Sequence, residues 1–433
     1  MNNTPRFVLP GASKVRRPRV LHLTTTPMSL WWLLAAQLHA FRAAGFEVMT
    51  ASGPGEHRDA LIEAGFEHTI VPGLGRSVDP RSDIRAAKEL IPAIARIRPD
   101  IVHTHNPKPG VLGRIAGRLA NAPIIINTVH GLYAQPGDPL TRRAFVYAAE
   151  RFAATFSDVE LVQNSEDVAM LRRLGIAQDR IRLLGNGIDL ERFRPTTESS
   201  YEAHKLRHQL RIPAGVPVVG IVGRMVAEKG HHDFLRAVRQ LRGGGCREFV
   251  PVVVGPEDPA KSDAISPATI GAMRAEGFRV LGARSDMETV LSLMDVFVLP
   301  SKREGFPRAA MEACAMGIPV VASDIRGCRE VVVDGHNGSL VNLGNVSGFA
   351  DAIGRLLDDD ALRHRQGQAG IARAQAEFDQ QRVITRTFEA YSEQLCRRGW
   401  VDQGLDSVSD IYVDSIDLVA TDESNSLDVS SAP

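Results

Sequence analysis

From Val20 to about Arg398, short apolar runs alternate with segments whose apolar residues recur at helical spacing, and this alternation restricts the fold more than any other feature. VLHLTT from Val20, FEVMTAS from Phe46, EHTIV from Glu67, DIVHTH from Asp100, PIIINTVHG from Pro123 and VELVQNS from Val159 read as strands. Helices are predicted between them over Ser29 to Ala44, about 82–96, about 110–120 and 166–174. A second series opens with PVVGIVG from Pro217 and continues through FVPVVVG, FRVLG, DVFVLP, PVVAS and SLV. Strands buried on both faces and joined by helices form parallel sheets covered on both sides, so the fold class is α/β and doubly wound. At 433 residues the chain is long enough for two such domains.

The boundary is placed at PTTESSY, 195–201, where the composition turns polar. The expected division is a disordered basic arm at 1–17, a first domain at 18–195, a second at 196–398 with closing helices from Val346, and a disordered acidic tail at 399–433. Lys and Arg number 51 and Asp and Glu 51, so no global basic field invites nucleic acid. The balance is uneven, with a basic surplus up to Pro195 and only acids after Arg398. Arg6, Lys14, Arg16, Arg17 and Arg19 make either a solvated arm or an attraction to anionic lipid. The four cysteines lack C-x-x-C spacing and read as buried residues of a reducing compartment. No run nears the roughly 18 apolar residues of a membrane span, and no signal-peptide core is found. The expected location is cytoplasmic, peripheral on the inner face of the membrane.

In sheets of this kind ligands sit beyond the carboxyl ends of the strands. In the second domain, DVFVLP runs into SKREGFPRAAMEAC, with Glu304 in the loop, Pro307 opening a helix, and Glu312 inside it. A helix start presents unpaired N–H groups and positive potential, hence suits an anion, and Pro is tolerated there. Gly305 lets a ligand approach the backbone. Alone, the stretch equally describes a plain connection. GRMVAEKG from Gly223 adds Arg224 and Lys229, a fork and a point charge for phosphate oxygens, with a solvated surface pair as the other reading. A glycosidase acid and base pair is disfavoured, because this cationic surrounding suits an anionic leaving group. The D-x-D at Asp358 to Asp360 reads as a solvated turn, and no metal site is expected.

The E-G-F-P-x-x-x-x-E-A wording from Glu304 to Ala313 resembles the motif of the family 4 glycosyltransferases, retaining enzymes of the GT-B fold, whose two Rossmann-like domains face a central cleft. The resemblance covers about residues 18–398. It implies that Glu304 grips donor-sugar hydroxyls, Glu312 binds the ribose, and the backbone of Gly305, Phe306, Pro307, Arg308 and Ala309 holds the diphosphate with Gly223, Arg224 and Lys229. Arg284 would stand near the base. The segment from Val102 to Gly131 is similar to that of polysaccharide-assembling members and implies that His130 faces the donor sugar, with Ser29, His105, Asn106 and Lys108 on the acceptor side. The N-G-I-D wording at Asn186 resembles the family's passage into its linker, and the last helix would cross back onto the first domain. One departure is the loop Thr24 to Ser29, where many relatives have a glycine pair.

The function so implied is transfer of a sugar, from a UDP-sugar, to a polyprenyl-diphosphate-linked or saccharide acceptor at an anionic membrane surface. The nucleotide-sugar is a co-substrate and no cofactor is expected. A UDP-sugar 2-epimerase and a catalytically silent binding partner stay open as alternatives.

Overall fold

The computed structural model describes residues 17–75, 80–105, 107–134, 137–259 and 261–400. The arm up to residue 16, Asn106 and the tail from residue 401 lie outside them. The chain divides into two units, one running to Leu184 and resuming at Val383, the other spanning Gly185–Arg382.

In the first unit seven parallel strands are β1 (Arg19–Leu23), β2 (Glu47–Ser52), β3 (Glu67–Ile70), β4 (Ile101–His105), β5 (Ile124–Val129), β6 (Val159–Val162) and β7 (Ile181–Leu183), in the order β3-β2-β1-β4-β5-β6-β7. The order reverses between β1 and β4, so the crevice for ligands opens beyond their carboxyl ends. Residues alternate between faces along each strand. Val20, Ile101, Ile124 and Ile126 pack with Phe41, Phe46, Phe388 and Tyr391. On the other face Leu21, Leu23, Val102 and Ile125 pack under Leu90 and Ile94.

The second unit repeats the plan with β8 (Val218–Val222), β9 (Val250–Val254), β10 (Arg279–Val280), β11 (Val296–Leu299), β12 (Val320–Ser323) and β13 (Gly338–Val341), ordered β10-β9-β8-β11-β12-β13. Here the reversal falls between β8 and β11. The loops singled out in the sequence, Gly223 to Gly230 and Ser301 to Pro307, are those that follow these two strands.

Three features differ from expectation. The polar stretch at 195–201 is no boundary: Thr196 and Ser199 form a reciprocal cap that starts the helix Thr197–Gln209, inside the second unit. The expected helix from Ser29 is a turn at Pro27–Ser29, a π-helical turn at Leu30–Leu34 and a helix at Ala35–Ala43. The wide turn buries Leu30 and Leu34 while Trp32 is 52% exposed. Pro307 precedes its helix, with extended backbone (ψ 109°), and the helical bonds begin at Arg308.

Candidate active site

In the second unit the two loops at the switch point are held together before any ligand is considered. Gly230 has φ +80° and a Cβ there would lie 2.1 Å from the Pro300 carbonyl oxygen, so only glycine lets the loop after β8 lie against the end of β11. The Lys302 N–H donates to the Glu228 carbonyl at 2.8 Å. Across this junction Lys229 Nζ meets Glu304 Oε1 at 2.7 Å, with the Glu304 side chain only 9% exposed. A cation from one loop and a carboxylate from the other thus close on one point at the mouth of the sheet.

The other residues expected at the donor lie in the same unit. Gly223 N–H continues the sheet by donating to Val254 O. Arg224 Nη1 pairs with Asp258 Oδ2 at 2.9 Å, so both expected phosphate cations have carboxylate partners here. Phe306 and Ala309 pack against the core of the unit. The helix Arg308–Ala315 receives no side-chain cap from Pro307. Glu312 is 3.9 Å from Arg308 Nε, and burial pushes its carboxyl up against the opposing pull of Arg308 and Arg192. Arg284 turns to Asp286, bonding both carboxylate oxygens at 2.8 and 2.5 Å, which occupies the fork expected near a base.

Asn186 was not among the expected site residues. Its side-chain N–H donates to the Phe306 carbonyl at 3.0 Å, which orients the peptide before the Pro307 turn. The signal was present in the N-G-I-D wording, but the sequence separation from Phe306 hid the contact.

In the first unit the loop after β5 begins with His130 and Gly131. Gly131 has φ +110°, a turn that a side chain would strain. The loop is tied down by Leu132 N–H, which donates to Asp167 Oδ2 at 2.9 Å, and Asn164 holds the same carboxylate. His130 is partly exposed and its Nε2 lies 3.2 Å from His105 Nδ1. His105 itself differs from its expected place on the acceptor side. It is buried, with its Nε2 3.1 Å from His22 Nδ1, because strand alternation turns it into the sheet face shared with His103. Lys108 Nζ pairs with Asp83 at 2.6 Å and reaches Ser82 Oγ at 3.3 Å, so it braces the neighbouring helix Pro80–Ile97. Ser29 lies partly exposed in the loop after β1, its N–H bonded to Thr26 O. His22, His103 and His105 bring one ring nitrogen each within 4.8 Å of one another, a grouping the sequence reading did not anticipate.

The family model described as Glycosyltransferase Family 4 matches residues 30–192, and the one described as Glycosyl transferases group 1 matches residues 216–359. A UDP-Gal:alpha-D-GlcNAc-diphosphoundecaprenol alpha-1,3-galactosyltransferase of Escherichia coli is 30% identical over 314 residues, 72% of this chain and 79% of the relative. The chain is a family 4 glycosyltransferase. A second relative of this glycosyltransferase, the capsular polysaccharide biosynthesis glycosyltransferase CapM of Staphylococcus aureus, is 26% identical over 392 residues, covering 88% and 98% of the two chains. Among solved structures, a sucrose-phosphate synthase from Thermosynechococcus elongatus shares the fold with a TM-score of 0.73 at 22% identity, covering 88% of this chain and 100% of that one. The enzyme therefore has the GT-B class of architecture expected from its sequence, two doubly wound units.

Proposed function

We propose that this glycosyltransferase moves a sugar from a UDP-sugar to a polyprenyl-diphosphate-linked or saccharide acceptor in the assembly of surface polysaccharide or glycan, with retention of anomeric configuration. The observation that carries the reading is the Lys229–Glu304 pair at the switch point of the second unit. A diphosphate arriving at the start of the Arg308–Ala315 helix competes for the Lys229 ammonium and frees Glu304 to accept hydrogen bonds from the sugar hydroxyls. As the bond from C1 to the phosphate oxygen breaks, its electrons stay on the diphosphate, where Lys229, Arg224 and the helix amides balance the charge. The acceptor hydroxyl oxygen bonds C1 in place of the phosphate oxygen, and the hydroxyl proton passes to the departing diphosphate. These groups supply the positive charge such a departure needs, and we read the transfer as requiring no metal and no resident cofactor. Glu312 would take the ribose and His130 the sugar. The Escherichia coli relative, a UDP-Gal:alpha-D-GlcNAc-diphosphoundecaprenol galactosyltransferase, supports this choice of donor class and lipid carrier.

A panel of UDP- and GDP-sugars, read by thermal stabilisation and donor hydrolysis, tests the reading. UDP-sugars should raise the melting temperature, and Lys229→Met should weaken UDP binding about 10–100-fold, or 1.4–2.8 kcal/mol. A new sugar formed from a UDP-sugar alone, without acceptor, would mean an epimerase instead.

No helix among the described residues is long and apolar enough to cross a membrane. We read the enzyme as cytoplasmic and peripheral, meeting its carrier through the basic surplus of the first domain and the exposed Trp32 and Leu33. Flotation with liposomes should then rise with anionic lipid and fall with salt. Binding indifferent to both would remove this part.

A further inference from the structure

Behind His130 the first unit buries a row of hydrogen bonds that no step of the proposed transfer uses. In sheet register His22 of β1 stands beside His103 of β4, and His105 two residues on shares that face. Thr128 of β5 lies beside His105. Tyr391, from the helix Gln380–Arg397, covers the group with its hydroxyl between two rings, 2.6 Å from His103 Nδ1 and 3.4 Å from His22 Nε2. His103 Nε2 lies 2.7 Å from Thr128 Oγ1. His22 Nδ1 meets His105 Nε2 at 3.1 Å, and His105 Nδ1 meets His130 Nε2 at 3.2 Å. The His130 ring in turn bonds the side chain of Gln163.

A neutral imidazole has one N–H and one bare nitrogen, and a phenol has one hydrogen to give. Rings joined nitrogen to nitrogen must therefore all point the same way, since one reversed ring sets two hydrogens or two lone pairs against each other. The row can therefore run in only two ways, with every ring carrying its proton on Nδ1 or every ring carrying it on Nε2. In the first, His105 donates from Nδ1 to His130, His22 donates from Nδ1 to His105, Tyr391 O–H gives to His22 Nε2, His103 donates from Nδ1 to Tyr391, and Thr128 O–H closes the row; in the second every link is reversed.

We infer that Thr128, His103, Tyr391, His22 and His105 are positioning residues that form one directional hydrogen-bond chain fixing His130 as a neutral imidazole of a single tautomer and set orientation. This rests on the proposed place of His130 beside the donor sugar, and it assigns roles to residues on β1, β4, β5 and the last helix that lie away from the sugar. Burial of uncharged rings agrees, since burial depresses the basicity of His22, His103, His105 and His130 alike. His130 then restrains the sugar by shape and as an uncharged group, and it is not the base of the reaction.

The test is nitrogen-15 NMR of the ring nitrogens in the full-length protein labelled at histidine, with peaks assigned by single substitutions, at neutral pH and without substrate. All four rings should show one and the same tautomer. Tyr391→Phe, which keeps the ring and removes the hydroxyl, should turn His22, His105 and His130 into tautomer mixtures in a protein that still melts cooperatively, and should lower kcat roughly tenfold at unchanged KM. A purely structural Tyr391 would lower the melting temperature and leave the His130 tautomer as it was, which overturns the inference. So would differing or mixed tautomers among the four rings or a charged His130 in the unaltered protein, or a stoichiometric zinc held by His22, His103 and His105. The spectra need no donor: failure of the proposed activity would appear in the sugar panel with the ring pattern intact, and failure of the chain would appear in the spectra with UDP binding intact.

Discussion

Glu312, which we propose takes the ribose, is held in the fold at a cost. Burial raises its carboxyl above the ordinary range, so the charged form is penalised in the folded protein, and the stability present below the unfolded pKa is lost as pH rises through the folded one. Glu312→Gln removes that penalty. The variant should melt higher than the parent at pH 7–8, with the gap closing as pH falls below about 4.5, and it should bind UDP roughly tenfold more weakly for want of a charged acceptor. Calorimetry across pH, with UDP titration, checks both. At this scale the sequence was legible where chemistry is local: Glu304, Lys229 and Glu312 sit in short stretches whose spacing survives folding. It was not legible where partners are distant. Nothing near His22 announces Tyr391, and His105 at a strand end reads as a loop residue until the β1–β4 register turns it inward.

Elements are governed by what they bury, and the helix Pro107–Leu119 buries a charge. Arg114 is fully enclosed, with Nη1 2.8 Å from Glu160 Oε1 and Nη2 2.8 Å from Glu150 Oε1, while Nε donates to the Gly110 carbonyl. Glu160 also accepts from Asn127 Nδ2 at 2.8 Å and from Ser157. This ties the helix to β5 and β6 through charges that have no water to turn to. Arg114→Met leaves the carboxylates uncompensated and should cost about 3–5 kcal/mol in urea unfolding, whereas the pair Arg114→Met with Glu160→Gln should recover part of the loss. A double-mutant cycle reads the coupling directly. The strands themselves were readable, since runs such as PIIINTVHG are buried on both faces and carry no competing period. The segment PTTESSY was misread because a capped, exposed helix start and a linker share the same polar residues; only the Thr196–Ser199 bonds distinguish them.

For the whole molecule, the two units should answer acid differently. In the first, His22, His39, His68, His103, His105 and His130 are all held below their ordinary basicity, mainly by burial, with His22 brought to about 3 and His68 and His130 to about 4. In the second unit burial likewise lowers His231. A depressed folded-state value means that the stabilisation is whole above about pH 6.5 and drains away as pH falls through the folded values. Amide protection factors, corrected for the intrinsic exchange rate, should fall from pH 7 to pH 5 more in β1, β4 and β5 than in β8 and β11, and an equal fall would count against it. The doubly wound plan of each unit followed from the alternation of runs. Where the units divide did not, because unit membership depends on which core accepts a helix, and hydrophobic spacing alone does not name the host. The last helix belongs with the first unit, as Phe388 and Tyr391 on the Phe41 face require. That arrangement has a consequence for biosynthesis: as the polypeptide emerges from the ribosome, the segment ending at Arg382 is complete while its predecessor still lacks a wall. The amino-terminal unit must wait, partly open, until the helix Gln380–Arg397 has been made before it matures.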